Sequence, residues 1–123
     1  MRLKTNSETL VTITKMPIHH QIILCTFPDK ESEERAARLL VNDKIAACIN
    51  ILPDITSIYM WQEQIKSAQE YLLLIKANKS CYQRIETLLI EYHPCELPEI
   101  IAVSIENGLP EYLSWIDSCH SLK

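Results

Sequence analysis

Along the chain, apolar positions repeat first with a period of two and then with a period near 3.6. The order in which the two periods replace one another outlines a fold. The stretch IHHQIILCTF, Ile18 to Phe27, places Ile23, Cys25 and Phe27 on one face and Ile22, Leu24 and Thr26 on the other, a strand closed by Pro28. Asp29 then predicts a helix N-cap, with Glu31, Glu33 and Glu34 in the first turn, where the helix dipole favours anions. Ala36, Ala37, Leu40 and Val41 form the apolar stripe of that helix, which runs to about Asp43. Ile45 to Leu52 alternates again, Pro53 interrupts, and Thr56 to Gln62 resumes the extended pattern. A turn is expected across Glu63 to Ala68. It leads into a strand over Gln69 to Ala77, whose unbroken Tyr-Leu-Leu-Leu-Ile run asks for cover on both faces. Ser80-x-x-Gln83 predicts a capping box for a second helix, striped by Ile85, Leu88, Leu89 and Tyr92 and ended by His93-Pro94. Glu99 to Ile105 reads as a further strand, Asn107-Gly108 as a turn, and Pro110 as the start of a short helix through Trp115 and Ile116.

This order predicts an α+β fold: a ferredoxin-like βαββαβ sandwich with an extra C-terminal helix. Residues 1–17 read as a polar N-terminal tail, with a weak strand-like alternation from Leu10 to Thr14, and residues 18–123 as one domain. Both helices of such a sandwich cover the same sheet face. The apolar strand at 71–75 must therefore bury its other side against a partner, and self-association is expected.

Composition narrows the function. The chain has 123 residues, 47% hydrophobic and 23% charged, enough to bury a core without disulfide or metal staples. Twelve basic against sixteen acidic side chains give a net charge of −4, which argues against nucleic acid as a partner. No apolar run approaches the length of a membrane span, so no membrane partner is expected, and the polar opening lacks a secretory core. Cys25, Cys48, Cys81, Cys95 and Cys119 are odd in number and contain no CxxC pair, as expected of free thiols in the cytoplasm. The single glycine, Gly108, excludes Gly-rich phosphate loops.

Candidate chemistry centres on Cys25, Cys48 and His93, which fall at strand or helix ends; two thiolates and an imidazole suit copper(I), zinc or another soft ion. In the 4-1-3-2 strand order of this fold, the first two strands are separated by the third, about 9–10 Å. Two sulfurs on one ion must lie closer, so a site between subunits is the expected geometry. Nucleophilic catalysis by a Cys/His pair lacks a recognisable motif, and no enzyme is expected. Glu70, Glu96 and Glu99, with Lys76, fall where they could line a pocket. His19, His20 and His120 read as surface or strand-entry residues.

Five motifs in combination carry a resemblance. They are Cys-Thr-x-Pro-Asp at 25–29, Lys-Ile-Ala-Ala-Cys-Ile-Asn-Ile at 44–51, Tyr-x-Trp at 59–61 with Glu70 and Lys76, His-Pro-x-x-x-Pro-Glu at 93–99, and Tyr-Leu-x-Trp at 112–115. From Ile18 to about Cys119 the chain resembles the CutA family of divalent-cation tolerance proteins. The resemblance implies the same βαββαβ order, a compact homotrimer that covers the second sheet face, and copper held by Cys25, Cys48 and His93. It also implies an architecture similar to trimeric PII-type signalling proteins. In that alternative an inter-subunit cleft binds a small ligand through Tyr59, Trp61, Glu70, Lys76 and Glu99, and the thiols are incidental. Family members usually carry Trp-x-Gly-Lys in the hairpin where this chain has Trp61-Gln62-Glu63-Gln64, and Lys-Thr where it has Lys76-Ala77.

Overall fold

Strand β1 (His20–Phe27) leads into helix α1 (Lys30–Asn42), the long strands β2 (Cys48–Trp61) and β3 (Gln64–Asn78), and a 3-10 turn at Lys79–Cys81. Helix α2 (Tyr82–Tyr92), strand β4 (Ile100–Ser104) and helix α3 (Pro110–Ser118) complete the chain. The computed structural model describes residues 19–120; the expected tail and its weak alternation lie outside the described residues. The sheet has the order β2-β3-β1-β4 with every neighbouring pair antiparallel, the ferredoxin-like arrangement read from the sequence.

Local chemistry sets the ends of α1. Pro28 has no N–H for a ladder, and the Asp29 carboxylate accepts from the Ser32 backbone N–H at 2.7 Å, capping the helix. At the other end, Lys44 N–H donates to the Val41 carbonyl and Ile45 N–H to the Leu40 carbonyl, a Schellman closure. Lys44 sits at φ 62° there, in the left-handed region glycine usually takes.

Three expectations change. The strand does not stop at Pro53: β2 runs on through a bulge, stepping from Leu52 opposite Leu72 to Ile55 opposite Glu70, with Asp54 at φ 58°. The turn expected over 63–68 is instead the two residues Gln62 and Glu63, both at positive φ (52° and 68°), so that Trp61 pairs with Gln64. Residues 64–68, without an alternating apolar pattern of their own, are strand because Thr56 to Trp61 templates them across the hairpin. Ser80 does not cap α2 either. Asn78 accepts from the Ser80 N–H at 2.9 Å and starts the 3-10 turn, and α2 follows without a side-chain cap.

Residues opposite one another in antiparallel strands share a face. Ile23, Cys25 and Phe27 of β1, with Leu73 and Ile75 of β3, form the sheet side of the core, against Ala36 and Leu40 of α1 and Ile85 and Leu89 of α2. The other face carries Ile22 and Leu24 of β1, Leu72, Leu74 and Lys76 of β3, Cys48 and Leu52 of β2, and Ile101 and Val103 of β4. Helix α3 covers one end of it: Asp117 accepts from Asn78 Nδ2 at 2.9 Å and pairs with His20 Nε2 at 3.0 Å, over a fully buried Ile116. The rest is bare, with Leu52, Ile101 and Val103 exposed at 41%, 52% and 49%. Beyond Tyr71, β3 pairs with β2 alone, so the hairpin projects from the sheet as a two-stranded arm. A lone ribbon of that kind is marginal in water, and this one exposes Ile58, Met60 and Ile65.

Candidate functional site

The three metal candidates do not meet within one chain. Cys25 lies opposite Leu73 and Cys48 opposite Lys76, and those two β3 positions point to opposite faces. Strand spacing and rise put the two cysteine Cα atoms roughly 14 Å apart. Cys25 is wholly buried among core side chains. Burial, followed by the nearby Glu99, Cys95 and Glu70, pushes its thiol up to about 12, so it is protonated and a poor ligand at neutral pH. Cys48 sits half-buried at the end of that face which α3 covers, in hydrogen-bond contact with Tyr112.

His93 is committed elsewhere. It ends α2, its ring stacks on Phe27 at a centroid distance of 4.3 Å, and Nε2 lies 2.6 Å from the Thr26 carbonyl. The Cys95 N–H donates to Nδ1 at 3.1 Å, which leaves the ring proton on Nε2 to donate to Thr26. Neither nitrogen offers a free lone pair. The ring is a clamp that ties the 94–99 loop to the end of β1. Among the described residues, no three His, Cys, Asp or Glu side chains converge as a metal centre. Within a single chain, Cys25, Cys48 and His93 therefore do not fit a bound ion.

The clamp shapes a cleft instead. Between the hairpin arm and the 94–99 loop lies a space of about 610 Å³, lined among others by Tyr59, Trp61, Glu70, Cys95, Glu96 and Glu99. The bulge at Pro53–Asp54 makes this wall: before it the even residues of β2 share the bare face, and after it the odd ones do. Ser57, Tyr59 and Trp61 thereby come onto the same side as Glu70. Ser57 Oγ donates to Glu70 Oε1 at 2.6 Å and fixes that carboxylate. Among the described residues lining the cleft, none is Lys or Arg. Neighbouring thiols register the resulting negative charge: Cys95 is pushed up by burial first, then by Glu70 and Asp29.

Four of the five residues read as a ligand cleft, Tyr59, Trp61, Glu70 and Glu99, thus come together in one chain. Lys76 does not. It stands six residues along β3 from Glu70, roughly 20 Å away, and donates to Asn50 on the bare face beside Cys48. Cys95, Ser57 and Thr26 were not legible as lining residues. The His-Pro-Cys-Glu-Leu-Pro-Glu run was their available signal, because a helix broken at a proline must turn back over the strand ends. His20 stands at the entry to β1, as read from the sequence, and holds Asp117, while His120 Nε2 accepts from the Asn78 N–H at 2.9 Å.

An antiparallel four-stranded sheet in the order β2-β3-β1-β4, with helices on one face and a projecting hairpin arm, defines an α+β protein of the ferredoxin-like class. The sequence profile of the family described as "CutA1 divalent ion tolerance protein" matches residues 21–119. The divalent-cation tolerance protein CutA of Thermus thermophilus is 38% identical over 96 residues, 78% of this chain and 93% of that protein. The crystal structure of CutA from Xylella fastidiosa superposes with a TM-score of 0.81 at 43% identity, covering 83% of this chain and 98% of that one. The periplasmic divalent cation tolerance protein CutA from Archaeoglobus fulgidus does so with a TM-score of 0.79 at 36% identity, covering 81% and 97%. The chain belongs to the CutA1 divalent ion tolerance family.

Proposed function

We propose that this protein serves divalent-cation tolerance by binding a thiophilic metal ion, copper foremost and zinc or another divalent cation by the same donors, as a homotrimer in the cytoplasm. The observation that carries the reading is where the bare sheet face holds its donors. Cys48 stands at one end of that face, and the His93-clamped cleft with its carboxylates and Cys95 opens at the other, beside Thr26 and Glu70. Copies that cover one another's bare faces head to tail bring the Cys48 end of one against the cleft end of the next. A soft ion then draws ligands from two chains, as the donor separation within one chain requires. Three copies close such a heterologous contact into a ring. The five unpaired cysteines suit a reducing compartment. The role is one of binding rather than catalysis, since His93 has no nitrogen free to act as a base.

A copper(I) competition titration of the reduced protein tests this. Cys48→Ser is expected to weaken binding by about tenfold or more while sedimentation stays that of a trimer. Unchanged affinity in that variant would sink the reading. A second reading, a trimeric small-ligand binding or signalling module, is favoured by one observation: the convergence of Tyr59, Trp61, Glu70 and Glu99 on a cleft of ligand size.

A further inference from the structure

We propose that helix α3 is a latch over the Cys48 end of the sheet, held shut by an uncharged His120 and released by mild acid. The helix has little to hold it on its own. It is nine residues long, short for a stable isolated helix, and no side chain caps its N-terminus. Its place on the sheet rests on the buried Ile116 and on polar contacts at its C-terminal end. There Asp117 accepts from Asn78 Nδ2 at 2.9 Å and pairs with His20 Nε2 at 3.0 Å. Just past the helix, His120 Nε2 accepts from the Asn78 backbone N–H at 2.9 Å. That bond fixes the state of the ring. With Nε2 as acceptor, the proton sits on Nδ1, which faces Cys81 Sγ at 3.4 Å. A second proton sets Nε2–H against the Asn78 N–H, two donors head to head, and the contact is lost.

The groups around the ring decide the sign. Arg84 of α2, which donates to the same Cys81 sulfur at 3.6 Å, and His20 of β1 disfavour a further charge. Asp117 and the carbonyl of Lys44, in the turn after α1, favour it, as does the C-terminal dipole of α3. Burial is the largest influence and, with Arg84 and His20, holds the imidazole below its ordinary 6.5. The docked chain therefore binds this proton more weakly than the released one. Docking has its full strength above pH 6.5 and weakens as pH falls toward the folded value. Burial pushes the Asp117 carboxyl up, but hydrogen bonds from Asn78 and His20 keep it below 3.8, so it stays ionised over this range. His20, when charged, pairs better with Asp117 and works against release. The consequence falls on Cys48. Tyr112 of α3 is in hydrogen-bond contact with its thiol, and release of the helix uncovers it. The latch needs no bound ion, so it holds or fails independently of the metal reading.

Amide hydrogen exchange of the full chain tests the latch, read by mass spectrometry at about pH 7.5 and 5.5 and corrected for the chemical pH dependence of exchange. The segment from Leu113 to Ser118 is expected to lose about three- to tenfold in protection at the lower pH, relative to α1. About tenfold is the ceiling for a single histidine one pH unit below its ordinary 6.5. His120→Gln, which keeps an uncharged acceptor for the Asn78 N–H, is expected to show no such loss between the two conditions, whatever its protection at either. Unchanged protection in the unmutated chain would overturn the latch, and so would an equal loss in His120→Gln. Should that variant not fold, histidine-ring NMR of the unmutated chain decides. His120 titrating below 6.5, in step with the loss of protection in α3, supports the latch; titration at 6.5 or above overturns it.

Discussion

Replacing His93 by alanine removes two contacts that can be priced separately. The Nε2–H bond to the Thr26 carbonyl, 2.6 Å long, ends on a residue only 7% exposed, so its loss strands a buried acceptor at a cost of about 1–3 kcal/mol. The ring also stacks on the fully buried Phe27 at 4.3 Å, an arrangement worth about 0.5–1.5 kcal/mol. Together the substitution is expected to destabilise the fold by about 1.5–4.5 kcal/mol. Urea unfolding at one fixed protein concentration reads this, since assembly would otherwise shift the midpoint. Amide exchange at Cys95, whose N–H donates to Nδ1, should accelerate in the same variant. A loss below about 0.5 kcal/mol with unchanged exchange would refute the clamp and return His93 to the list of free ligands.

Replacing Gln62-Glu63 by Asn-Gly should raise stability by about 1–2 kcal/mol, read as a higher thermal midpoint, because both residues now occupy left-handed backbone that Asn-Gly accepts readily. Glu33 is 2% exposed with one carboxylate oxygen unpartnered, and burial raises its pKa above the usual 4.5. The folded state thus holds this proton more tightly than the unfolded one, and the group's contribution to stability is lost as pH rises from 4.5 through the folded value. The stability advantage of Glu33→Gln over the unmodified chain should therefore widen with rising pH in parallel denaturation series. Ile101→Lys places a charge on the bare face at a side chain 52% exposed in the single chain, so it should leave that chain folded by circular dichroism while lowering the sedimentation coefficient.

The fold was legible where periodicity and its stops agreed. β1, α1 and β4 follow from alternation, the Asp29 cap and the apolar stripe, and the strand order from the βαββαβ sequence of elements. The hairpin was not, because two local signals misled. Pro53 reads as a strand end, but a bulge absorbs the residue without an N–H and the ladder resumes. Residues 64–68 hold one residue of high β propensity, Ile65, among Gln64, Lys66, Ser67 and Ala68, and pairing with Thr56 to Trp61 makes them strand. The same bulge decides which side of the arm faces the cleft, so the placement of Tyr59 and Trp61 was hidden with it. For the metal candidates, alternation alone told the face of each cysteine within its own strand. Only the β1–β3 and β2–β3 registers related the two strands and set Cys25 and Cys48 on opposite faces.

The proposed metal site draws its donors from two chains. Its most direct test is a copper(I) titration of the assembled protein beside Ile101→Lys, which retains Cys25, Cys48, His93 and every cleft residue. Tight binding by the assembled protein and loss of that binding in the dissociated variant are expected. Equal affinity in a variant shown by sedimentation to be monomeric would contradict it, and would place the ion within a single chain.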